Sequence, residues 1–183
     1  MGILFSSLLK EQEIGTKPCK YITFLRHAES EWNEARWSYT RLLSCQCGDP
    51  NIEDPSITKK GKAQVAALRD KMGDSIEWLK VSHNYLISFI TYSLLYFISL
   101  KLKKQNIELI VISPYRRALQ TFQDLWSVEH VKQAGVNILI TPLHGEIAHT
   151  SSDIGSSVDT LKAEFINFDF SNIDNNIWWY DKG

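Results

Sequence analysis

The chain has 183 residues, 44% hydrophobic and 22% charged, with a formal net charge of −1, an ordinary globular composition with material for one core. Near-neutrality removes any global field that would favour nucleic acid or an anionic membrane surface. The three cysteines, Cys19, Cys45 and Cys47, make no even disulfide framework, and Cys45-x-Cys47 lacks the further ligands of a structural zinc site, so reduced thiols in the cytoplasm are expected.

Residues 1–19 read as an N-terminal extension. Met1-Gly-Ile-Leu-Phe-Ser6 fits the loose pattern for N-myristoylation at Gly2, although only Lys10 lies nearby and a single acyl chain anchors weakly. From Lys10 onward the stretch is too polar for a secretory signal. Tyr21-Ile-Thr-Phe-Leu25 then reads as a strand buried on both faces, which in α/β proteins delivers functional residues at its C-terminal end. Arg26-His27 falls there, with Asn33 close behind. A neutral imidazole attacks phosphorus when its other ring nitrogen is held as a donor. Arg26 offers a planar fork for two phosphate oxygens, and the Asn33 amide supplies another donor.

A loop from Glu34 to Ser56 follows, carrying Arg41. Thr58 is placed to cap a helix through Val65, Leu68 and Met72, with Gly73 as its stop. Tyr85 to Leu100 carries no charge and is crowded with Ile, Leu, Phe and Tyr, yet falls short of the roughly 20 apolar residues of a membrane span. A buried or interfacial helix is one reading of this insert. Another is a retained intron over 81–105: the edges Lys80-Val81-Ser82 and Lys104-Gln105-Asn106 back-translate into splice-like boundaries, and joining Lys80 to Asn106 restores a plain helix-to-strand connection.

Ile107-Glu-Leu-Ile-Val-Ile112 is a second strand, with Ser113 read as N-cap and Pro114 as the first helical residue. Arg116 and Arg117 then lie near the positive end of a helix dipole, a poor place for cations unless something anionic is bound there. Leu119, Phe122 and Trp126 give the helix one buried face. Val136 to Thr141 is a third strand, followed by Glu146. Asp153 and Gly155 mark a turn, and Ser157 caps a short helix through Leu161 and Phe165. Asp169 to Trp179 reads as a loop whose tryptophans await a packing surface.

Arg26-His27-Ala28-Glu29-Ser30-Glu31-Trp32-Asn33 resembles the Arg-His-Gly-x-Ser-x-x-Asn signature of the histidine phosphatase superfamily, the phosphoglycerate mutase-like proteins. Ser113-Pro-Tyr-Arg-Arg117-Ala-Leu-Gln-Thr121 is similar to that family's second block, and Ile57-Thr58-Lys-Lys-Gly61-Lys-Ala-Gln64 to its Leu-Thr-x-x-Gly-x-x-Gln-Ala helix opening. The resemblance runs from about Lys20 to Trp179, interrupted at 81–105. It implies an α/β, three-layer fold with a mostly parallel central sheet over 20–183. It also implies a phosphomonoester hydrolase that works through a phosphohistidine on His27, with no metal or cofactor. Arg26, Arg117, Asn33 and Ser30 would hold the phosphoryl group, and Glu146 would be the general acid. The partner would be a small phosphorylated substrate, with neither nucleic acid nor a stable membrane span.

The resemblance also carries departures. Ala28 replaces a glycine, which matters only if the position needs positive φ. The family's second histidine, in a Ser-His-Gly-Gly type turn after a later strand, has no counterpart after Glu146. His83 precedes the second arginine block, and His149 is merely close to the acid. The C-terminal part of the family's fold is therefore expected to be missing. A phosphoglycerate mutase-type phosphotransferase and a non-catalytic phosphate-binding remnant stay open beside the phosphatase. Oligomeric state is not legible.

Overall fold

The computed structural model describes residues 21–38, 48–72, 85–88, 107–174 and 176–179. The N-terminal extension with Gly2, the three cysteines, Arg41, Gly73 and His83 lie outside them.

Four short strands form one sheet: β1 (Tyr21–Phe24), β2 (Tyr85–Ser88), β3 (Ile107–Ile112) and β4 (Asn137–Ile140), in the order β1-β2-β3-β4. Every pairing is parallel. The expected parallel α/β arrangement is present in that sense. In register, Phe24 faces Ser88 and Ile112 faces Ile140, with an irregularity between Tyr85 and Leu86. Four residues of the apolar insert thus stand between the strands that carry the two motifs. Over Tyr85–Ser88 the insert is extended rather than helical, and Tyr85 and Ile87 are of the types that suit a pleated ladder.

Among the described strands β1 lies at one end of the order, and Phe24 is 50% exposed. The expectation of burial on both faces fails at Phe24, whose side chain is left half uncovered on its face of the sheet by the described residues.

Helix α1 (Glu31–Arg36) spans the end of the His27 motif and the first residues of the expected Glu34–Ser56 loop. Ser30 is its N-cap and Asn33 the reciprocal partner, while Glu31 and Glu34 sit in the first turn where the dipole favours them. Helix α2 (Lys59–Met72) starts as expected: the Thr58 hydroxyl accepts the Gly61 N–H at 2.9 Å. Helix α3 (Arg116–Leu125) starts later than Ser113-Pro114 suggests. Its N-cap is Tyr115, which makes no side-chain capping bond. The cap comes from far away in the chain: Asp54 Oδ1 accepts the Arg116 N–H at 2.9 Å, and Asp54 Oδ2 accepts the Ser156 N–H at 3.0 Å. A buried carboxylate at the positive end of a helix replaces the local serine. Helix α4 (Val128–Gln133) precedes β4, and α5 (Val158–Glu164) is capped by Ser157 as expected.

The main core gathers Ile110 and Ile112 of β3, Leu119 and Phe122 of α3, Val131 of α4, Ile140 of β4 and Leu161 of α5. A second cluster joins Ala28, Ile57, Val65 and Leu125, so the His27 loop is packed between α2 and α3. The C-terminal aromatics do not wait for another surface. Trp178 is 4% exposed, stacks edge-on against Tyr115 with centroids 4.8 Å apart, and donates its indole N–H to the Ser156 carbonyl at 2.9 Å. A Cβ on Gly155 would meet the Trp178 ring, so this glycine makes the seat for the indole.

Candidate functional site

The turn after β1 is held by three residues of one motif. Gln64 Oε1 accepts the Glu29 N–H at 2.9 Å, Thr58 donates its backbone N–H to the Glu29 carbonyl at 2.9 Å, and Gly61 lies so close that a Cβ would stand 2.3 Å from that carbonyl oxygen. The threonine, glycine and glutamine therefore position the loop that carries His27. From the other side, the Thr121 hydroxyl of α3 accepts the Ala28 N–H at 3.0 Å. Gln120 accepts the Ile57 N–H at 2.8 Å. Ala28 is not in the positive-φ region, where the described non-glycine residues are Asn51 and Asp54. The alanine costs this turn no backbone strain.

These constraints close a pocket of about 320 Å³ whose lining includes Arg26, His27, Asn33, Arg117, Glu146 and Asp153. Ser30 also lines it. Every expected site residue is thus brought to one cavity, although the residues come from loops more than 100 positions apart.

His27 is 7% exposed, and its Nδ1 lies 2.6 Å from the Ala28 carbonyl. That carbonyl can only accept, so Nδ1 carries the proton and Nε2 keeps its lone pair. Burial and then the Arg117 charge, with a smaller push from Arg26, lower the His27 pKa to about 3, against the raising effect of the Ala28 bond. At neutral pH the ring is an uncharged base.

Arg117 is 2% exposed. It donates through Nη1 to the Ser152 carbonyl at 2.5 Å, lies 3.4 Å from Glu146 and 3.6 Å from Asp153 through Nη2, and packs over the Tyr115 ring. Arg116 turns away, bonding Glu164 at 2.8 Å and the Asp54 carbonyl at 3.0 Å. The expectation that cations at this helix start need an external anion is corrected here: protein carboxylates already accompany both.

The carboxylates near Arg117 are unequal. Burial, a hydrogen bond to Asp153 and the Asp153 charge push the Glu146 pKa up to about 7, against the pull of the arginines. Asp153 is also penalised by burial, yet its bonds from Glu146, the His149 and Thr150 N–H groups and the Thr150 hydroxyl hold it below the usual carboxylate range. The pair thus shares one proton, held on Glu146. Among the described lining residues, protonation of Glu146 leaves Arg26 and Arg117 with Asp153 as the ionised carboxylate. When Glu146 ionises, it becomes the second.

Asn33 and Ser30 have a local job as well. The Ser30 hydroxyl and N–H both donate to Asn33 Oδ1, at 3.0 and 3.2 Å. This engages the carbonyl end of the amide and leaves Nδ2 as the group with hydrogens to offer an anion.

Sequence reasoning passed over Asp153, Thr121 and Trp32 as contributors. Asp153 had a legible signal, since Thr150-Ser-Ser-Asp153 has the spacing of a reciprocal cap. His149, read as merely near the acid, also lines the pocket. Among the described residues no cluster of three potential metal ligands occurs, and no helix is long and apolar enough to cross a membrane. Comparison of the chain with family models, with curated proteins and with solved structures finds no match.

Proposed function

We propose that the chain hydrolyses phosphomonoesters through a phosphohistidine on His27, within a three-layer fold of the phosphoglycerate mutase-like kind. The observation that carries this reading is a buried imidazole with a defined tautomer sharing a pocket with two arginines and a carboxyl group whose proton is retained near pH 7. Such a set has a nucleophile, charge stabilisation and a proton donor.

In the first step Nε2 of His27 attacks phosphorus, the N–P bond forms and the P–O bond to the leaving group breaks. Glu146 gives its proton to the departing oxygen, and the alcohol leaves. In the second step water attacks phosphorus, Glu146 takes a proton from that water, and the N–P bond breaks to release phosphate. Arg26 and Arg117 stabilise the charge on the equatorial oxygens in both transition states. A bound phosphate also replaces the charge that ionised Glu146 would bring, so anion binding favours the protonated acid.

The test compares wild type with His27→Ala on a generic phosphomonoester, together with an alkaline detergent quench of radiolabelled substrate to trap an acid-labile, base-stable phosphoprotein. Hydrolysis and label in the wild type and neither in the variant are expected. Wild-type protein as inert as His27→Ala would overturn the reading in favour of an anion-binding protein without catalysis.

A further inference from the structure

Beyond its charged floor the pocket has a second kind of wall, made by Trp32 and Ile147. The Trp32 ring has a fixed plane. Its indole N–H donates to Asp49 Oδ1 at 2.9 Å, and the Arg36 guanidinium stands 5.0 Å over the ring centroid. Arg36 itself does not line the pocket, whereas Trp32 does. Asp49 is in turn gripped by the Ser151 N–H and hydroxyl and by the Asn51 N–H, which ties the indole to the turn bearing Ser152 and Asp153. Ile147 is 48% exposed and directly follows Glu146. Ile147 and Glu146 both line the cavity, so an apolar side chain shares it with the group proposed to protonate the leaving oxygen.

The charges are distributed differently. Arg26 directly precedes His27 and Arg117 lines the same pocket, and on the hydrolytic reading both serve the phosphoryl group. Among the described residues that line the cavity, no further lysine or arginine is left for a second phosphate or a carboxylate on the leaving group. The cavity of about 320 Å³ nevertheless exceeds what a phosphoryl group alone fills.

We infer that Trp32 and Ile147 form a subsite for a flat, apolar ring on the leaving group, so that arylmethyl and aryl phosphates are taken in preference to phosphates of polyols. This rests on the hydrolytic reading of His27 for its chemistry, but the ring subsite is measurable without it. A ring stacked on a preformed indole gains contact area at little entropic cost.

The test uses two non-hydrolysable probes, benzylphosphonate and methylphosphonate, titrated calorimetrically into the full chain. Wild type is expected to bind the benzyl compound about tenfold tighter or more. Trp32→Ala should bring the two within about threefold, Trp32→Phe should keep most of the preference, and Ile147→Ala, at an exposed position whose loss disturbs no core, should lower it severalfold. Equal wild-type affinities, or a preference that survives both alanine substitutions, would overturn the inference. A parallel measurement compares kcat/KM for benzyl phosphate and glycerol phosphate, whose leaving alcohols are of similar acidity. Selective binding of benzylphosphonate without turnover of either ester would leave the subsite standing and remove the hydrolytic reading instead.

Discussion

The Thr121 hydroxyl accepts the backbone N–H of Ala28 at 3.0 Å and donates a hydrogen bond to the Arg117 carbonyl at 2.7 Å. One side chain thereby couples the loop of the nucleophile to the helix of the buried arginine. Thr121→Val, nearly the same in shape, would orphan a buried N–H and is expected to cost about 1–3 kcal/mol in urea unfolding. It should also lower kcat/KM, and Thr121→Ser should restore most of both. A valine variant that unfolds at the wild-type midpoint would show that the link is not structural.

Gly61 and Glu29 meet with no room between them. Gly61→Ala places a methyl group against backbone rather than against a movable side chain, so α2 must shift, at about 1–3 kcal/mol of overpacking cost. The Gln64 bond to the Glu29 N–H would lengthen with it. The expected readout is a lowered denaturation midpoint together with weaker phosphate binding. Unchanged stability would mean that the helix absorbs the methyl group locally.

Adjacent arginines give a direct comparison. Arg117→Lys keeps the charge but loses the fork, and on the phosphatase reading should reduce kcat/KM by about 100-fold or more. Arg116→Ala removes contacts to Glu164 and Asp54 only. Its cost should appear in thermal unfolding, with kcat/KM within about threefold of wild type. The reverse pattern would exchange the two roles.

The shared proton of Glu146 and Asp153 sets the alkaline side of the pH dependence. Activity requires Glu146 protonated and should fall as pH rises through about 7, while neutral His27 persists down to about 3. Asp153→Asn removes the neighbouring charge and should move the alkaline limb to lower pH. Glu146→Gln should abolish that limb and slow alkyl esters by about 100-fold or more, nitrophenyl esters far less, since a good leaving group needs no acid. Phosphate binding near pH 7 should take up protons, read by calorimetry in buffers of different ionisation enthalpy. An alkaline limb unmoved in the asparagine variant would separate Asp153 from the acid.

His27 also sets a stability trend. Its folded pKa of about 3 lies below the 6.5 of an unperturbed imidazole. As pH falls below that ordinary value the unfolded chain binds a proton that the folded chain refuses, so stability present near neutrality is lost on acidification. Integrated from pH 7 to pH 4, the contribution is about 3 kcal/mol. His27→Asn should flatten this part of the pH–stability curve. An equally steep acid loss in the variant would assign the trend to other groups.

The site was legible in the sequence at particular residues: Arg26 and His27 after a β-forming run, Thr58 before a helical period, Glu146 after a third strand, Ser157 at a helix start. Each is a local matter of propensity, capping and spacing, which neighbouring residues decide. The boundary of α3 was not legible, because its cap is Asp54, and a side chain from 62 positions earlier leaves no local mark. The half-exposed Phe24 and the buried Trp178 belong to the same class, since the covering of a side chain is a property of the assembled chain.

The chemistry divides along the same line. The sequence by itself determined which groups are present and that strand ends and helix starts would offer them. The resemblance already singled out Arg117 over Arg116, but only tertiary structure decided that Arg116 is taken up by Glu164 and Asp54, that Asp153 stands beside Glu146, and which of that pair keeps the proton. Those outcomes depend on burial and on distances between charges, and both exist only after distant segments have closed around one pocket.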